Sequence, residues 1–138
     1  MTLKKLIAFD EADLAVMSAY VQDAHLKASD MAYLPNEQRF AFVAQRYARE
    51  DGHETHQRSV GMHFEAVQAV RSTGFSPGSD DDLQLLAIHF QTGDAPAGTL
   101  QMIFAGNAEI HFDVECLEAA MSDLGDGGVC SCPQHNLA

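Results

Sequence analysis

The chain has 138 residues, of which 46% are hydrophobic and 20% are charged, and these values exclude disordered and fibrous proteins. We expect one globular domain with a full hydrophobic core. The net charge is −12, and the last 67 positions carry ten acidic residues and no basic one. Nucleic acids and anionic lipids bind clustered Lys and Arg, so we expect neither as a partner.

The beginning of the chain does not resemble an export signal. Its apolar run, Leu6 to Phe9, is interrupted by Asp10 and Glu11, and it is too short to cross a membrane. The three cysteines are an odd number, which favours reduced thiols over a disulfide framework. We therefore expect a cytoplasmic location.

The first predicted element is a helix from about Asp10 to Ala24. Asp10 has the character of an N-cap, with Asp13 in the first turn. Leu14, Met17 and Val21 then fall on one face at helical spacing. This pattern predicts an amphipathic helix packed on the core.

The period then becomes alternating, which predicts β-strands. Residues 24–48 indicate two strands joined by a turn at Pro35-Asn36, and residues 58–75 indicate one long strand that needs a bulge or bend. Residues 73–82 have loop composition. Gly106-Asn107 lies between apolar runs and predicts a hairpin turn.

A second helix is predicted from Glu115 to Leu124. Leu117, Ala120, Met121 and Leu124 fall at helical spacing, and Gly125 follows as a C-terminal stop. The expected fold is α+β: a mainly antiparallel meander sheet or barrel of about six strands with a helix near each end, similar in element order to pleckstrin-homology-like barrels. We expect residues 1–125 to form the globular domain and residues 126–138 to form a flexible tail.

The predicted core consists of the inward positions of these helices and strands. Its members are Leu14, Met17, Val21, Phe40, Phe42, Met62, Phe64, Leu86, Ile88, Phe90, Met102, Phe104, Ile110, Phe112, Val114, Leu117 and Met121.

The strand after the hairpin turn carries the densest set of reactive side chains. Glu109, His111, Asp113 and Glu115 alternate to one face of that strand. Such a row binds a divalent cation, flanks a substrate, or is the wet face of a half-exposed sheet. His53 and His56 lie in a polar loop and lack the spacing of a metalloprotease helix. They would join the row only if their loop folds over it.

The remaining candidates have simpler interpretations. His63 and His89 are expected to be packed or hydrogen-bonded, and Asp80 to Asp82 to form a solvated turn. Cys116 opens the predicted second helix, where it is either a buried structural cysteine or a thiol activated by the helix N-terminus.

The tail contains Cys130, Cys132 and His135 within six residues. A single residue separates the two cysteines, and no second ligand pair exists elsewhere in the sequence. We therefore predict that the tail forms no structural zinc site in the monomer, and that its cysteines are exposed, oxidisable thiols.

Several catalytic motifs are missing from the sequence, including a Gly-rich phosphate loop, a nucleophile elbow and a dinucleotide fingerprint. We assign no catalytic, cofactor-binding or metal-binding residue. The leading hypothesis is a small non-catalytic binding or interaction domain, with a protein, a small molecule or a second copy as partner. The alternative is a metal-dependent hydrolase or metal-binding protein that uses the histidines and carboxylates above.

Three long segments carry a family resemblance: LKKLIAFDEADLAVMSAYVQDA, DMAYLPNEQRFAFVAQRY and the run from Leu85 to Gly125. Over roughly residues 3 to 125 the chain resembles an alphaproteobacterial protein family, domain of unknown function 2948. The family has no assigned reaction, cofactor or binding residues, so the resemblance implies none. Pro133 and His135 look like the family's usual ending, whereas the paired cysteines before them do not.

Overall fold

The computed structural model describes residues 4–47 and 57–126, with ten β-strands and one α-helix. In chain order these are β1 (Lys5–Ala8), α1 (Glu11–Tyr20), β2 (His25–Lys27), β3 (Met31–Leu34), β4 (Arg39–Tyr47), β5 (Gln57–Phe64), β6 (Val67–Thr73), β7 (Asp82–Thr92), β8 (Gly98–Phe104), β9 (Ala108–Val114) and β10 (Ala119–Asp126). Within the described ranges, no helix has the length and apolar character that crossing a membrane requires.

The strands form one open antiparallel sheet in the order β1-β10-β5-β4-β2-β7-β8-β9-β6, and β3 pairs with β4 beside β2. The antiparallel prediction is confirmed. The predicted count of about six strands was too low, because β1 was not predicted, β2 and β3 were predicted as one strand, β5 and β6 as another, and β10 as a helix.

Helix α1 begins where the sequence predicts. The carboxylate of Asp10 accepts a hydrogen bond from the backbone N–H of Asp13 at 2.8 Å, which is the expected capping contact. The helix ends at Tyr20 rather than near Ala24, and Asp23 has a positive φ of 68°. The chain thus turns into β2 earlier than its apolar spacing indicated.

The predicted second helix is wrong, because residues 119–126 form the strand β10. Strand β10 lies between β1 and β5 and is paired with both. Ala119, Met121 and Asp123 are buried, while Ala120 and Ser122 alternate to the other face. Hydrogen bonding to two neighbouring strands outweighs the helical spacing of the apolar residues in this segment.

The long strand predicted over residues 58–75 is two strands. Ala66, with a positive φ of 59°, separates β5 from β6. Strand β5 pairs with β4 and β10, whereas β6 pairs with β9 at the other end of the sheet. At the expected bend the chain therefore leaves β4 and β10 and pairs with β9 instead.

The hairpin at Gly106-Asn107 is confirmed, although its loop has three residues, 105–107, rather than two. These residues have φ values of 81° and 67°, and β8 and β9 pair from Phe104 opposite Ala108 onward. Such positive angles suit Gly and Asn better than other residues. Likewise, a 3₁₀ turn at Pro35–Glu37 joins β3 to β4, as predicted for Pro35-Asn36.

The core is centred on phenylalanines. Phe112 contacts Phe40 and Phe64 edge-on, with ring centroids 4.7 and 5.1 Å apart. All predicted core residues are buried except Leu86, which is 40% exposed, and Phe90, which is only partly buried. The pairing of β7 with β8 shifts register between Leu85 and Ala87, so Leu85 points inward instead of Leu86, and Ile88 is buried as predicted.

Candidate functional site

The acidic row on β9 contacts its neighbours rather than an open site. The carboxylate of Glu109 accepts a hydrogen bond from the Gln101 amide at 2.8 Å and lies 3.0 Å from Nε2 of His111. Arg71 of β6 donates to Asp113 at 3.0 Å. These side chains satisfy one another on a half-exposed face.

The same contacts explain the acidity of Glu109. The hydrogen bond from Gln101, followed by the contact with His111, holds the pKa of Glu109 below its ordinary value of 4.5. Desolvation acts in the opposite direction and is the smaller influence. The carboxylate therefore stays ionised and is not suited to act as a general acid.

The arrangement on β9 supports the interpretation as a wet sheet face. Across residues 4–47 and 57–126, no group of three or more His, Cys, Asp or Glu side chains could hold a metal ion. Glu115 lies past the end of β9 and is exposed. His53 and His56 lie outside the described residues.

The remaining candidates, His63, His89 and Cys116, differ in how well their positions agree with the predictions. His63 is hydrogen-bonded as predicted, with Nδ1 2.6 Å from the Glu65 carboxylate. His89 is exposed, contrary to the prediction. Cys116 is a half-buried free thiol between β9 and β10, so it neither opens a helix nor is fully buried.

The three aspartates of the predicted loop lie on the surface, and the tail candidates fall outside the described residues. Asp80 and Asp81 are exposed, and Asp82, at the start of β7, forms an exposed ion pair with Lys27 at 3.0 Å. Cys130, Cys132 and His135 lie outside the described residues, and the zinc prediction for them stays a prediction.

A cluster of charged side chains that the sequence did not indicate lies on the buried side of the sheet. Arg46 and Arg58 are opposite each other on β4 and β5, and both are fully buried. Arg46 binds the carboxylate of Asp123 through two hydrogen bonds of 2.7 Å, and both side chains have zero exposure. Its guanidinium also lies 5.4 Å from the ring centroid of Tyr20.

The sequence analysis did not identify these arginines as core residues, because charged residues are rarely buried. Strand alternation contained the missed signal. Arg46 has the same parity as Phe40, Phe42 and Ala44, which are all buried. The cluster fixes β4 and β10 relative to each other, and Asp123 also accepts from the backbone N–H of Lys4 at 2.8 Å.

Strands β1, β10, β5, β4 and β3 have an unusual composition on the side of the sheet that faces away from the core. Register places Ile7, Ala120, His63, Ala41 and Ala32 in one row across β1, β10, β5, β4 and β3. A second row contains Lys5, Ser122, Gly61 and Val43. We call these two rows the small-residue face.

The two rows of the small-residue face contain no Asp or Glu, and the carboxylate of Glu65 lies 2.6 Å from Nδ1 of His63 in the first row. Leu124 lies over Gly61, where an added Cβ would be 3.6 Å from a Leu124 methyl group. Charged residues border the face, where Arg39 pairs with Glu65 at 2.7 Å. Glu118 lies beside Glu65, since its carbonyl accepts the Glu65 N–H. A centre that lacks acidic residues, bordered by a charged rim, fits the composition of protein interfaces.

A small cavity of about 270 Å³ lies between α1 and β7. Leu14, Ala15, Ile88 and Phe90 supply its apolar walls, and Glu11, Ser18 and His89 supply its polar groups. The hydroxyl of Ser18 accepts a hydrogen bond from the Ile88 N–H at 2.9 Å, which attaches the helix to the strand. The Ser18 oxygen thus already accepts a hydrogen bond from the strand.

Comparison with known proteins identifies the family. The family described as "Protein of unknown function (DUF2948)" matches residues 4–135. The chain belongs to this family. No curated protein and no solved structure matches it. The match covers the whole described fold, including both the charged cluster and the small-residue face.

Proposed function

We propose that this member of the family is a non-catalytic interaction domain that binds a protein partner through the small-residue face. One observation carries the proposal: the two rows of that face contain no acidic residue, although the chain has twenty. Depletion of charge at the centre of a patch is the compositional sign of an interface. A cytoplasmic location is part of the proposal, and the free thiol of Cys116 supports it.

The rim of the face indicates the chemistry of the partner. Glu65 and Glu118 border the apolar rows on one side, and the protein as a whole is strongly acidic. A partner with an apolar contact surface flanked by Lys or Arg would complement both features. Such complementarity increases the association rate and excludes wrong partners.

The basic residues favour a protein over nucleic acid or anionic lipid. Lys27, Arg39 and Arg71 form ion pairs with acidic neighbours, while Arg46 and Arg58 are buried. Polyanion binding needs a cluster of accessible cations. These five residues do not supply such a cluster, which supports a protein as the partner.

Site-specific photocrosslinking in the producing cell tests the proposal. A benzoylphenylalanine in place of Ala32, which is exposed at the end of the face, should crosslink one discrete protein. Mapping the crosslinked peptide should show an apolar segment with flanking Lys or Arg. The same probe in place of Gln91, exposed on β7, is the matched control and should give no such product.

A pair of substitutions makes the test specific. Val43→Lys should abolish the crosslink from position 32, because it puts a cation into the apolar centre against a basic partner. Ile103→Lys, on the half-buried outer side of β8, should leave the crosslink intact. Equal crosslinking from positions 32 and 91, insensitivity to Val43→Lys, or a crosslink only to a second copy of this chain would refute the proposal.

A further inference from the structure

Strand β1 presents a free edge in the described sheet, which ends at this strand. The orientation of its peptide groups follows from its contact with β10. Lys4 pairs with Asp123, whose N–H donates to the Lys4 carbonyl at 2.8 Å. Because hydrogen-bonded residues alternate along an antiparallel ladder, Leu6 and Ala8 also bond to β10. The N–H and C=O groups of Lys5 and Ile7 therefore point away from β10, and Phe9 follows the strand at a bend.

The outward side chains at this edge are apolar and exposed. Ile7 is 61% exposed and Phe9 is 64% exposed, which makes them the two most exposed large hydrophobic residues in the described chain. Exposed edges of this kind pair with other strands unless charges or bulges prevent it. A lysine stands at only one end of β1.

We propose that two copies of the protein pair through β1, antiparallel, about a two-fold axis at Ile7. A two-fold axis perpendicular to the sheet requires facing residues of equal parity, and centring it on Ile7 places Lys5 opposite the partner copy's Phe9. Ile7, whose peptide groups face outward, then bonds across the axis to the partner copy's Ile7, and the outward peptide groups of Lys5 lie opposite the partner copy's Phe9. The proposal rests on the outward peptide groups of β1, whereas the proposed function rests on the side chains of the small-residue face, to which Lys5 and Ile7 also contribute.

The charges of the segment favour pairing with a second copy. Lys4 and Lys5 precede the apolar residues of β1, and Asp10 and Glu11 follow them. Antiparallel pairing brings the basic end of one copy beside the acidic end of the other, at both ends of the interface. The carbon chain of Lys5 also covers the exposed ring of the partner copy's Phe9. A parallel pairing would instead superpose like charges.

Disulfide formation at the two-fold axis tests the geometry. Residues opposite each other in a hydrogen-bonded pair have Cα atoms about 5.5 Å apart, which a disulfide can span. In a background with Cys116, Cys130 and Cys132 changed to serine, Ile7→Cys should form a symmetric covalent dimer in a glutathione buffer. Non-reducing electrophoresis measures the dimer fraction over time.

Lys5→Cys is the matched control, since it is exposed on the same strand and face. In the proposed register the Cα atoms of residue 5 in the two copies are about 14 Å apart, given about 3.4 Å per residue along the strand. This distance is too long for a disulfide. We expect Ile7→Cys to crosslink at least tenfold faster. A mixture of Lys5→Cys and Phe9→Cys chains should crosslink as a heterodimer. Equal rates for positions 5 and 7 would overturn the register.

Sedimentation of the unmodified chain tests the association itself. We expect a reversible dimer at about 100 µM, because a narrow edge interface is small and therefore weak. Ile7→Pro should give a monomer, since the lost N–H points away from β10 and the β1–β10 ladder keeps its bonds. Ile7→Val should preserve the dimer. A wild-type chain that stays monomeric at this concentration would overturn the proposal, whatever the fate of the small-residue face.

Discussion

Replacing Asp123 by alanine should strongly destabilise the protein, because it leaves the Arg46 guanidinium buried without its carboxylate. The pair has two hydrogen bonds of 2.7 Å and no solvent exposure. Breaking such a pair from one side costs about 3–5 kcal/mol, whereas an exposed pair contributes about 1 kcal/mol or less. A domain of this size is stable by about 5–15 kcal/mol, so the loss is a large fraction of the total.

Urea unfolding followed by far-UV circular dichroism measures this effect. The chain has no tryptophan, so the sheet signal is a better probe than fluorescence. Asp123→Ala should lower the midpoint without changing the slope, and should lower the melting temperature by about 10–20 °C. Ser122→Ala, the next residue on the opposite side of the strand, is the control and should change stability by about 0.5 kcal/mol or less.

A double variant distinguishes charge burial from lost packing. If the buried guanidinium without its carboxylate causes the loss of stability, Arg46→Met combined with Asp123→Leu should be more stable than Asp123→Ala alone. The double variant leaves no unpaired charge at this pair. A single-variant loss of about 1 kcal/mol or less would refute the reasoning. So would a double variant whose loss equals the sum of the two single substitutions.

Two further predictions concern β7 and β9. Leu86→Ser should cost less than about 1 kcal/mol, whereas Leu85→Ala should cost about 2–5 kcal/mol, since only Leu85 is buried; equal urea midpoints would contradict the register shift. Gln101→Leu should raise the pKa of Glu109 toward 4.5, measured by carboxyl ¹³C NMR. Because this folded-state pKa is lowered, the stabilisation by Glu109 is present above its unfolded pKa and is lost as pH falls through the folded pKa; an unchanged titration would exclude Gln101 as the main cause.

The sequence alone determined the features whose cause is local. The carboxylate of Asp10 caps α1 because its partner N–H is only three residues away. The hairpin at Gly106-Asn107 follows from two residues that tolerate positive φ. Alternation along β8 and β9 identified their buried side chains, because a strand with one wet face must alternate. The candidate row on β9 was located by the same alternation.

Only the tertiary structure decided the features that depend on distant strands. Residues 119–126 have apolar spacing that suits a helix, yet they form β10 because β1 and β5 supply hydrogen-bonding partners on both sides. Arg46 is buried because Asp123, 77 positions away, meets it inside the sheet. The small-residue face exists only when β1, β10, β5, β4 and β3 lie side by side. Local alternation gives the parity of a residue such as Arg46, but it does not show which distant strand or side chain will meet that residue, so pairing across the sheet decided these features.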